Sequence, residues 1–131
     1  MAPCALLVED EPLIRMIARE FLEEAGFTLV EASNSDEARA ILEHHGSSIA
    51  LLFTDVEMPG SRDGFALARY AAERWPDMDI VIASGRMVPQ LGDMPSGATY
   101  LAKPFTATAI HNHLRKSLPE DRLPGQLRAA A

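Results

Sequence analysis

Five short apolar runs separated by segments of helical periodicity constrain the fold of this chain more than any other feature of its sequence. The runs span residues 5–8, 28–31, 49–53, 80–83 and 99–102. The first, third and fourth runs are continuously apolar, which is typical of strands covered by helices on both faces. Alternation of such strands with helices predicts an α/β domain built on a parallel sheet.

Glycine and proline residues mark where three of the predicted helices end. Gly26 and Gly46 follow the first two helices, and Pro76 ends the third. Asn34 stands at the start of the second helix with Glu37 three residues later, which is the spacing of a capping box.

The segment between the fourth and fifth strands is the least regular part of the predicted fold. Topology requires a crossover there, yet it contains Pro89, Gly92, Pro95 and Gly97. We therefore expect the helix in this crossover to be short or irregular. The segment from residue 86 to residue 98 has few apolar anchors, so we expect it to be the most mobile part of the unliganded domain.

Length and charge exclude several classes of protein. The 131 residues suffice for one domain, which we place at residues 1–118, followed by a flexible tail at 119–131. The net charge of −7 has the wrong sign for tracking a nucleic-acid backbone or an anionic membrane surface. No apolar run approaches the roughly 20 residues of a membrane span. Cys4 is the single cysteine and no Lys or Arg precedes Arg15, so we expect a cytoplasmic protein without a disulfide or a signal peptide.

Charged and polar residues follow four of the predicted strands. They are Glu9, Asp10 and Glu11 after the first strand, Asp55 after the third, Ser84 after the fourth and Lys103 after the fifth. In an open parallel sheet, ligands bind beyond the carboxyl ends of the strands. Clustered carboxylates repel one another unless a cation lies among them, and an oxygen-only donor set suits Mg²⁺. The pattern predicts a magnesium site at this edge, with a lysine available for phosphate oxygens.

Each of these residues has an ordinary explanation when it is taken alone. An acidic triplet is commonly a solvated loop, Asp55 can be a turn residue, and Lys103 can be a surface lysine. Only their joint placement after successive strands is specific.

The same positions carry the motifs of a known family. The motifs are Val8-Glu9-Asp10-Glu11, Asp55 with Met58-Pro59-Gly60 and Asp63-Gly64, Ala83-Ser84-Gly85, and Tyr100-Leu101-Ala102-Lys103-Pro104-Phe105. In this order and spacing, residues 4–118 resemble the receiver domains of two-component response regulators. The resemblance implies a flavodoxin-like, doubly wound fold of five βα units, with a parallel sheet in the order 2-1-3-4-5 flanked by five helices.

The resemblance also implies a phosphoryl acceptor and a metal site. Asp55 would take a phosphoryl group from a histidine kinase, since a carboxylate can attack phosphohistidine to give an acyl phosphate. Asp10 and Asp55 would ligate Mg²⁺ together with the backbone carbonyl of Glu57, and Glu9 would bind the ion through water.

The remaining roles implied by the resemblance concern the phosphoryl oxygens and the output. Lys103 and the Ser84 hydroxyl would hold the phosphoryl oxygens. Ser84 would move inward on phosphorylation and Tyr100 would follow, altering the face formed by the fifth strand and the last two helices. A cis peptide bond is implied between Lys103 and Pro104.

Two further residues are expected to set the lifetime of the phosphorylated state. Glu57 and Arg86 would lean over the path of the attacking water, which must approach in line with the bond that breaks. An exposed ion pair is worth only about 0–1 kcal/mol, so the pair would be a loose gate.

The chain would thus be a single-domain, phosphoryl-accepting response regulator, and not an enzyme with a separate substrate. Its partners would be a sensor histidine kinase or a phosphotransfer protein, and a downstream protein target. It would act as a monomer or as a weak, phosphorylation-dependent dimer. Two alternatives stay open: a docking module that keeps the fold without being phosphorylated, and an aspartate-nucleophile phosphohydrolase suggested by Asp55-Val56-Glu57.

Overall fold

One sheet of five parallel strands organises the molecule. The computed structural model describes residues 3–57, 63–85, 89–90 and 92–117. The strands are β1 (Cys4–Val8), β2 (Thr28–Ala32), β3 (Ile49–Asp55), β4 (Asp79–Ser84) and β5 (Thr99–Ala102). They lie in the order β2-β1-β3-β4-β5, and every neighbouring pair is parallel. The flavodoxin-like, doubly wound fold and its strand order are therefore confirmed.

Helices cover both faces of the sheet. They are α1 (Pro12–Ala25), α2 (Ser35–His45), α3 (Gly64–Arg74) and α4 (Ala107–Ser117), with a 3₁₀ turn at Gly46–Ser48. The core under α1 and α4 includes Leu7, Leu22, Phe53 and Leu114. The core under α2 and α3 includes Leu6, Leu42, Leu52 and Ala68. Successive residues of β1 and β3 thus enter opposite cores, which is why residues 5–8 and 49–53 are apolar without interruption.

The helix ends follow the signals in the sequence, with one difference. Gly26 ends α1 with a φ of 107°, a left-handed conformation that glycine adopts without strain. The Asn34 side chain accepts a hydrogen bond of 2.8 Å from the Glu37 amide, as the capping box predicts. The carboxylate of Glu37 reaches back to the amide of Ser33 at 2.8 Å, one residue before the expected partner.

The crossover between β4 and β5 is irregular wherever the structure describes it. Residues 89–90 and 92–98 contain turns, and no helix is found among them, so the described residues hold four of the five expected helices. Arg69 of α3 donates a hydrogen bond of 2.6 Å to the Asp93 carbonyl. Met94 and Ala98 pack against the core under α2 and α3. Residues 86–88 and 91 lie outside the described residues, so the mobility of this segment stays a prediction.

The C-terminal residues 118–131 also lie outside the described part of the chain, and the flexible tail stays a prediction. None of the described helices is long and apolar enough to cross a membrane.

Candidate functional site

The polar residues expected at the edge of the sheet do meet there. Asp55 and Ser84 are the last residues of β3 and β4, while Glu9 and Lys103 lie just beyond β1 and β5. The strand register aligns Asp55 with Ala83. Because all the strands are parallel, their carboxyl ends lie at the same edge, and side chains distant in sequence become neighbours.

Lys103 lies between two buried carboxylates. Its ammonium Nζ is 2.9 Å from Oε2 of Glu9 and 3.2 Å from Oδ1 of Asp55. Glu9 is 4% exposed and Asp55 is 7% exposed, so neither carboxylate is well solvated. Oδ1 of Asp55 also accepts a hydrogen bond of 2.9 Å from the Val56 amide. The lysine therefore supplies the positive charge that two buried carboxylates require.

Burial and charge shift the titration of all three groups. Burial raises the pKa of the Asp55 carboxyl above its ordinary value, against the opposing charge of Lys103. Burial also raises the pKa of Glu9, against the hydrogen bond from Lys103. Burial by itself lowers the pKa of the Lys103 ammonium, but the hydrogen bond to Glu9 and the charges of both carboxylates outweigh it, so this pKa is raised. The Lys103 ammonium therefore offsets only part of the free-energy cost of burying the charged carboxylates of Glu9 and Asp55.

Asp10 completes a cluster of three carboxylates. Glu9, Asp10 and Asp55 each offer an oxygen, and these oxygens all lie within 4.8 Å of one another. Among the described residues, the Asp10 carboxylate makes no hydrogen bond or ion pair, and it is partly exposed. Three hard oxygen donors at this separation fit a divalent cation such as Mg²⁺, which binds through one or two carboxylates and keeps several waters.

Three hydrogen bonds hold the turn that carries Glu9 and Asp10, and one of them joins two backbone groups. The Glu9 amide donates to the Ala32 carbonyl of β2 at 3.1 Å. The Glu9 carbonyl accepts from the Arg15 guanidinium at 3.2 Å, and the Glu9 carboxylate accepts from the Glu11 amide at 3.3 Å. The acidic turn is therefore built into the end of β1 and the start of α1.

Ser84 connects the site to the edge strand. Ser84 is 1% exposed, and its backbone carbonyl accepts hydrogen bonds from the Lys103 amide at 2.9 Å and from the Tyr100 hydroxyl at 3.3 Å. Tyr100 is half-buried in β5. The resemblance implied that Tyr100 follows a movement of Ser84, but the hydrogen bond from the Tyr100 hydroxyl to the Ser84 carbonyl was not expected from the sequence.

The start of α3 lies against the backbone of Asp55. The Gly64 amide donates to the Val56 carbonyl at 2.9 Å. A Cβ atom added at Gly64 would overlap the Asp55 carbonyl, so only glycine allows the helix to begin this close. Asp63 caps the helix by accepting a hydrogen bond of 2.9 Å from the Ala66 amide. The sequence contained the signal for this contact, the Asp63-Gly64 pair, but not its steric reason.

An open cleft of about 560 Å³ lies over these residues. Its charged end includes Glu9, Asp10, Asp55 and Lys103, and its apolar end includes Ile14, Ile17, Pro104 and Phe105. Glu57 is exposed and lines the same cleft. Arg86, its expected partner, lies outside the described residues, so the gate stays a prediction. The peptide bond between Lys103 and Pro104 is cis, as the resemblance implied.

Comparison with known proteins identifies the family to which the chain is similar. Residues 5–115 match the family model of the response regulator receiver domain. The chain is 35% identical over 116 residues to the response regulator receiver protein CpdR of Brucella abortus (strain 2308), covering 86% of this chain and 94% of that protein. It is 34% identical over 118 residues to the sensor kinase CckA of the same organism, covering 85% of this chain. The chain spans only 12 to 45% of the length of CckA and several other curated relatives.

Solved structures that resemble this chain are also receiver domains. The crystal structure of a response regulator receiver protein from Sinorhizobium medicae WSM419 has a TM-score of 0.77 and 30% identity, covering 83% of this chain and 88% of that chain. The receiver domain of the hybrid histidine kinase CckA has a TM-score of 0.75 and 30% identity, covering 88% of this chain and 99% of that chain. Together with the family match over residues 5–115, these likenesses establish that the chain belongs to the response regulator receiver domain family.

Proposed function

We propose that Asp55 accepts a phosphoryl group from phosphohistidine in a Mg²⁺-dependent reaction, and that the phosphorylated domain signals through protein contacts. The observation that carries this proposal is the convergence of three carboxylates and one ammonium in an open cleft. Receiver domains interact with histidine kinases or phosphotransfer proteins, which supply such a donor.

The donor set supports a magnesium site. Asp10 and Asp55 would hold the ion directly with the backbone carbonyl of Glu57, and Glu9 would reach it through water. When bound, the ion would neutralise negative charge on the carboxylates and on the incoming phosphoryl oxygens. Asp10 is the best placed first ligand, because Glu9 and Asp55 already share Lys103.

The reaction requires one free oxygen on Asp55. Among the described residues, Oδ1 of Asp55 is engaged by the Val56 amide and by Lys103, and no partner of Oδ2 is found. We therefore assign the attack to Oδ2, which forms the new O–P bond while the P–N bond of phosphohistidine breaks. The electron pair of that bond goes to the imidazole nitrogen. Lys103 would then hold a phosphoryl oxygen, and charge neutralisation and positioning provide the catalysis.

The output would run through Ser84 and Tyr100. The Ser84 hydroxyl would turn toward the phosphoryl group on Asp55, since both residues end strands at the same edge of the sheet. The Ser84 carbonyl is bonded to both Lys103 and Tyr100, so a shift of Ser84 would disturb both contacts. Tyr100 lies on the edge strand β5, and its movement would change the surface formed by β5, α4 and the crossover.

An exposed apolar surface beside the cleft favours a protein donor. Leu13, Met16 and Ile17 of α1 are 64%, 44% and 38% exposed, and Ile17 also lines the cleft. Exposed apolar residues next to a reactive group are typical of a docking surface. Leu13→Ser should therefore slow transfer from a phosphotransfer protein and leave transfer from a small acyl phosphate unchanged.

The deciding experiment exposes the protein to a small-molecule phosphodonor with and without Mg²⁺ and measures intact mass. We expect the gain of one phosphoryl group, lost in Asp55→Asn and strongly reduced in Asp10→Asn. Asp63→Asn is the matched control, because an exposed helix cap is changed and the cleft is not. No mass gain under any condition would favour the docking module, and steady turnover of a soluble phosphate ester would favour the phosphohydrolase.

A further inference from the structure

Arg15 of α1 contacts the acidic turn and has no part in the proposed phosphoryl transfer. Its guanidinium Nη1 donates a hydrogen bond of 3.2 Å to the Glu9 carbonyl. Its Nε lies 3.4 Å from Oε1 of Glu31 on β2. Its own amide donates to the Glu11 carbonyl at 2.9 Å, within the first turn of α1. Arg15 thus connects β2, α1 and the turn between β1 and α1.

The Glu9 carbonyl matters because it belongs to the peptide bond that leads into Asp10. The Asp10 carboxylate has no hydrogen-bond or ion-pair partner in the described part of the chain, so the position of its side chain depends on its backbone. On the amide side of Glu9, the backbone is held by the Ala32 carbonyl at 3.1 Å. On the carbonyl side, the bond from Arg15 is what orients the peptide group that enters Asp10.

We propose that Arg15 is a positioning residue that holds the backbone of Asp10 in the orientation that binds a divalent cation. The inference rests on the proposed function, since it concerns the same metal site. Arg15 touches neither the reacting oxygen of Asp55 nor the phosphoryl group, and it acts through the peptide bond between Glu9 and Asp10.

Charge alone would make the opposite prediction. A cation near an acidic cluster repels Mg²⁺, so removing it would strengthen metal binding. The charge of Arg15 is offset by its ion pair with Glu31, and its side chain is 28% exposed to screening solvent. Loss of the hydrogen bond should therefore outweigh loss of the charge.

Arg19 provides a matched control. It lies one turn further along α1, carries the same charge and pairs with the same residue, with Nη1 3.4 Å from Oε2 of Glu31. Its other ion pair is with Glu23 at 3.8 Å, and no contact with Glu9 is found among the described residues. Arg15→Ala and Arg19→Ala thus remove equal charge, but only the first removes the bond to the acidic turn.

The test measures Mg²⁺ affinity of the purified protein by calorimetry, with no phosphodonor present. We expect Arg15→Ala to weaken Mg²⁺ binding by about three- to tenfold, as for loss of one hydrogen bond, and Arg19→Ala to change it less than about twofold. Arg15→Lys should lie between them, because an ammonium keeps the charge but cannot bridge two partners with a planar fork. Arg15→Lys also serves if Arg15→Ala unfolds, as judged by circular dichroism.

A second measurement needs no metal. In the metal-free protein, the backbone amide resonance of Asp10 should shift in Arg15→Ala and stay in place in Arg19→Ala. Equal changes in Mg²⁺ affinity for the two alanine variants, or tighter binding in Arg15→Ala, would overturn the inference. If the wild-type protein binds no Mg²⁺, the proposed function fails, and an unmoved Asp10 resonance in Arg15→Ala would then reject the positioning role independently.

Discussion

Replacing Asp55 by asparagine should make the metal-free protein more stable at neutral pH, by about 2 kcal/mol. The reason is that Asp55 is buried and lies with Glu9 and Asp10 in a cluster of three carboxylates, of which only Glu9 and Asp55 contact the Lys103 ammonium. Asparagine has nearly the same shape, and its Oδ1 can still accept the bonds from the Val56 amide and from Lys103. The substitution therefore removes the charge and leaves the packing and the hydrogen bonds in place.

The magnitude follows from the distances. Oxygens of Glu9 and Asp10 lie within 4.8 Å of an Asp55 oxygen, and at an effective dielectric constant near 20 each such pair repels by about 3.5 kcal/mol. Lys103 at 3.2 Å attracts Asp55 by about 5 kcal/mol on the same scale. On this scale the two repulsions exceed the one attraction by about 2 kcal/mol, and the burial of Asp55, which is the largest cause of its raised pKa, acts in the same direction.

The pH dependence has a definite sign. The pKa of Asp55 in the folded protein is raised above its ordinary value of 3.8, so the folded state holds this proton more tightly than the unfolded chain does. Well below pH 3.8 the Asp55 carboxyl is neutral in both the folded and the unfolded state. The charge of Asp55 then makes no difference to stability between the wild type and Asp55→Asn. As the pH rises through the raised pKa, the wild-type protein loses stability relative to Asp55→Asn, and the difference is complete above that pKa.

Urea and thermal denaturation in the presence of EDTA measure the effect. For a domain of this length, about 2 kcal/mol corresponds to a rise in Tm of roughly 8 °C. Asp63→Asn, at an exposed helix cap, should leave Tm nearly unchanged because asparagine caps helices as well as aspartate does. An Asp55→Asn protein that is less stable than the wild type at pH 7 would refute the electrostatic reasoning. So would a gain in stability over the wild type that is the same at pH 3 as at pH 7. Addition of Mg²⁺ should reduce the difference in Tm between Asp55→Asn and the wild type, since a bound cation relieves the repulsion among the three carboxylates.

Three further outcomes are expected. Gly64→Ala should lower the free energy of unfolding by about 1–3 kcal/mol in urea denaturation, because the new methyl group overlaps the Asp55 carbonyl. It should also slow phosphorylation of Asp55. A fully stable variant with the wild-type phosphorylation rate would contradict this packing. Arg69→Ala should speed amide hydrogen exchange at residues 92–98 and not in β3, because it removes the bond of 2.6 Å that ties the crossover to α3. Alanine variants of Glu57 and Arg86 should change the dephosphorylation rate non-additively in a double-mutant cycle, and simple addition of the logarithms would exclude a gate.

The fold was predictable because its signals are local. The uninterrupted apolar residues of β1 and β3 reflect burial on both faces of one sheet, and Gly26 and Asn34 specify helix ends through their own backbone and side-chain chemistry. The edge of the sheet that carries the site was predictable for a related reason. In a parallel sheet the residue that follows each strand must lie at the same edge, so topology alone places Asp55 and Lys103 at that edge.

The contacts within the site were decided only by the tertiary structure. Lys103 and Glu9 lie 94 residues apart, and a distance of 2.9 Å between their side chains depends on the separation of two strands and on the direction of each side chain. The same holds for the bond from Arg15 to the Glu9 carbonyl and for the overlap that excludes any residue but glycine at position 64. Sequence periodicity specifies which face of an element is buried. The balance of charge around Asp55 depends on distances of a few ångströms between side chains from separate elements, and those distances exist only once the elements have packed.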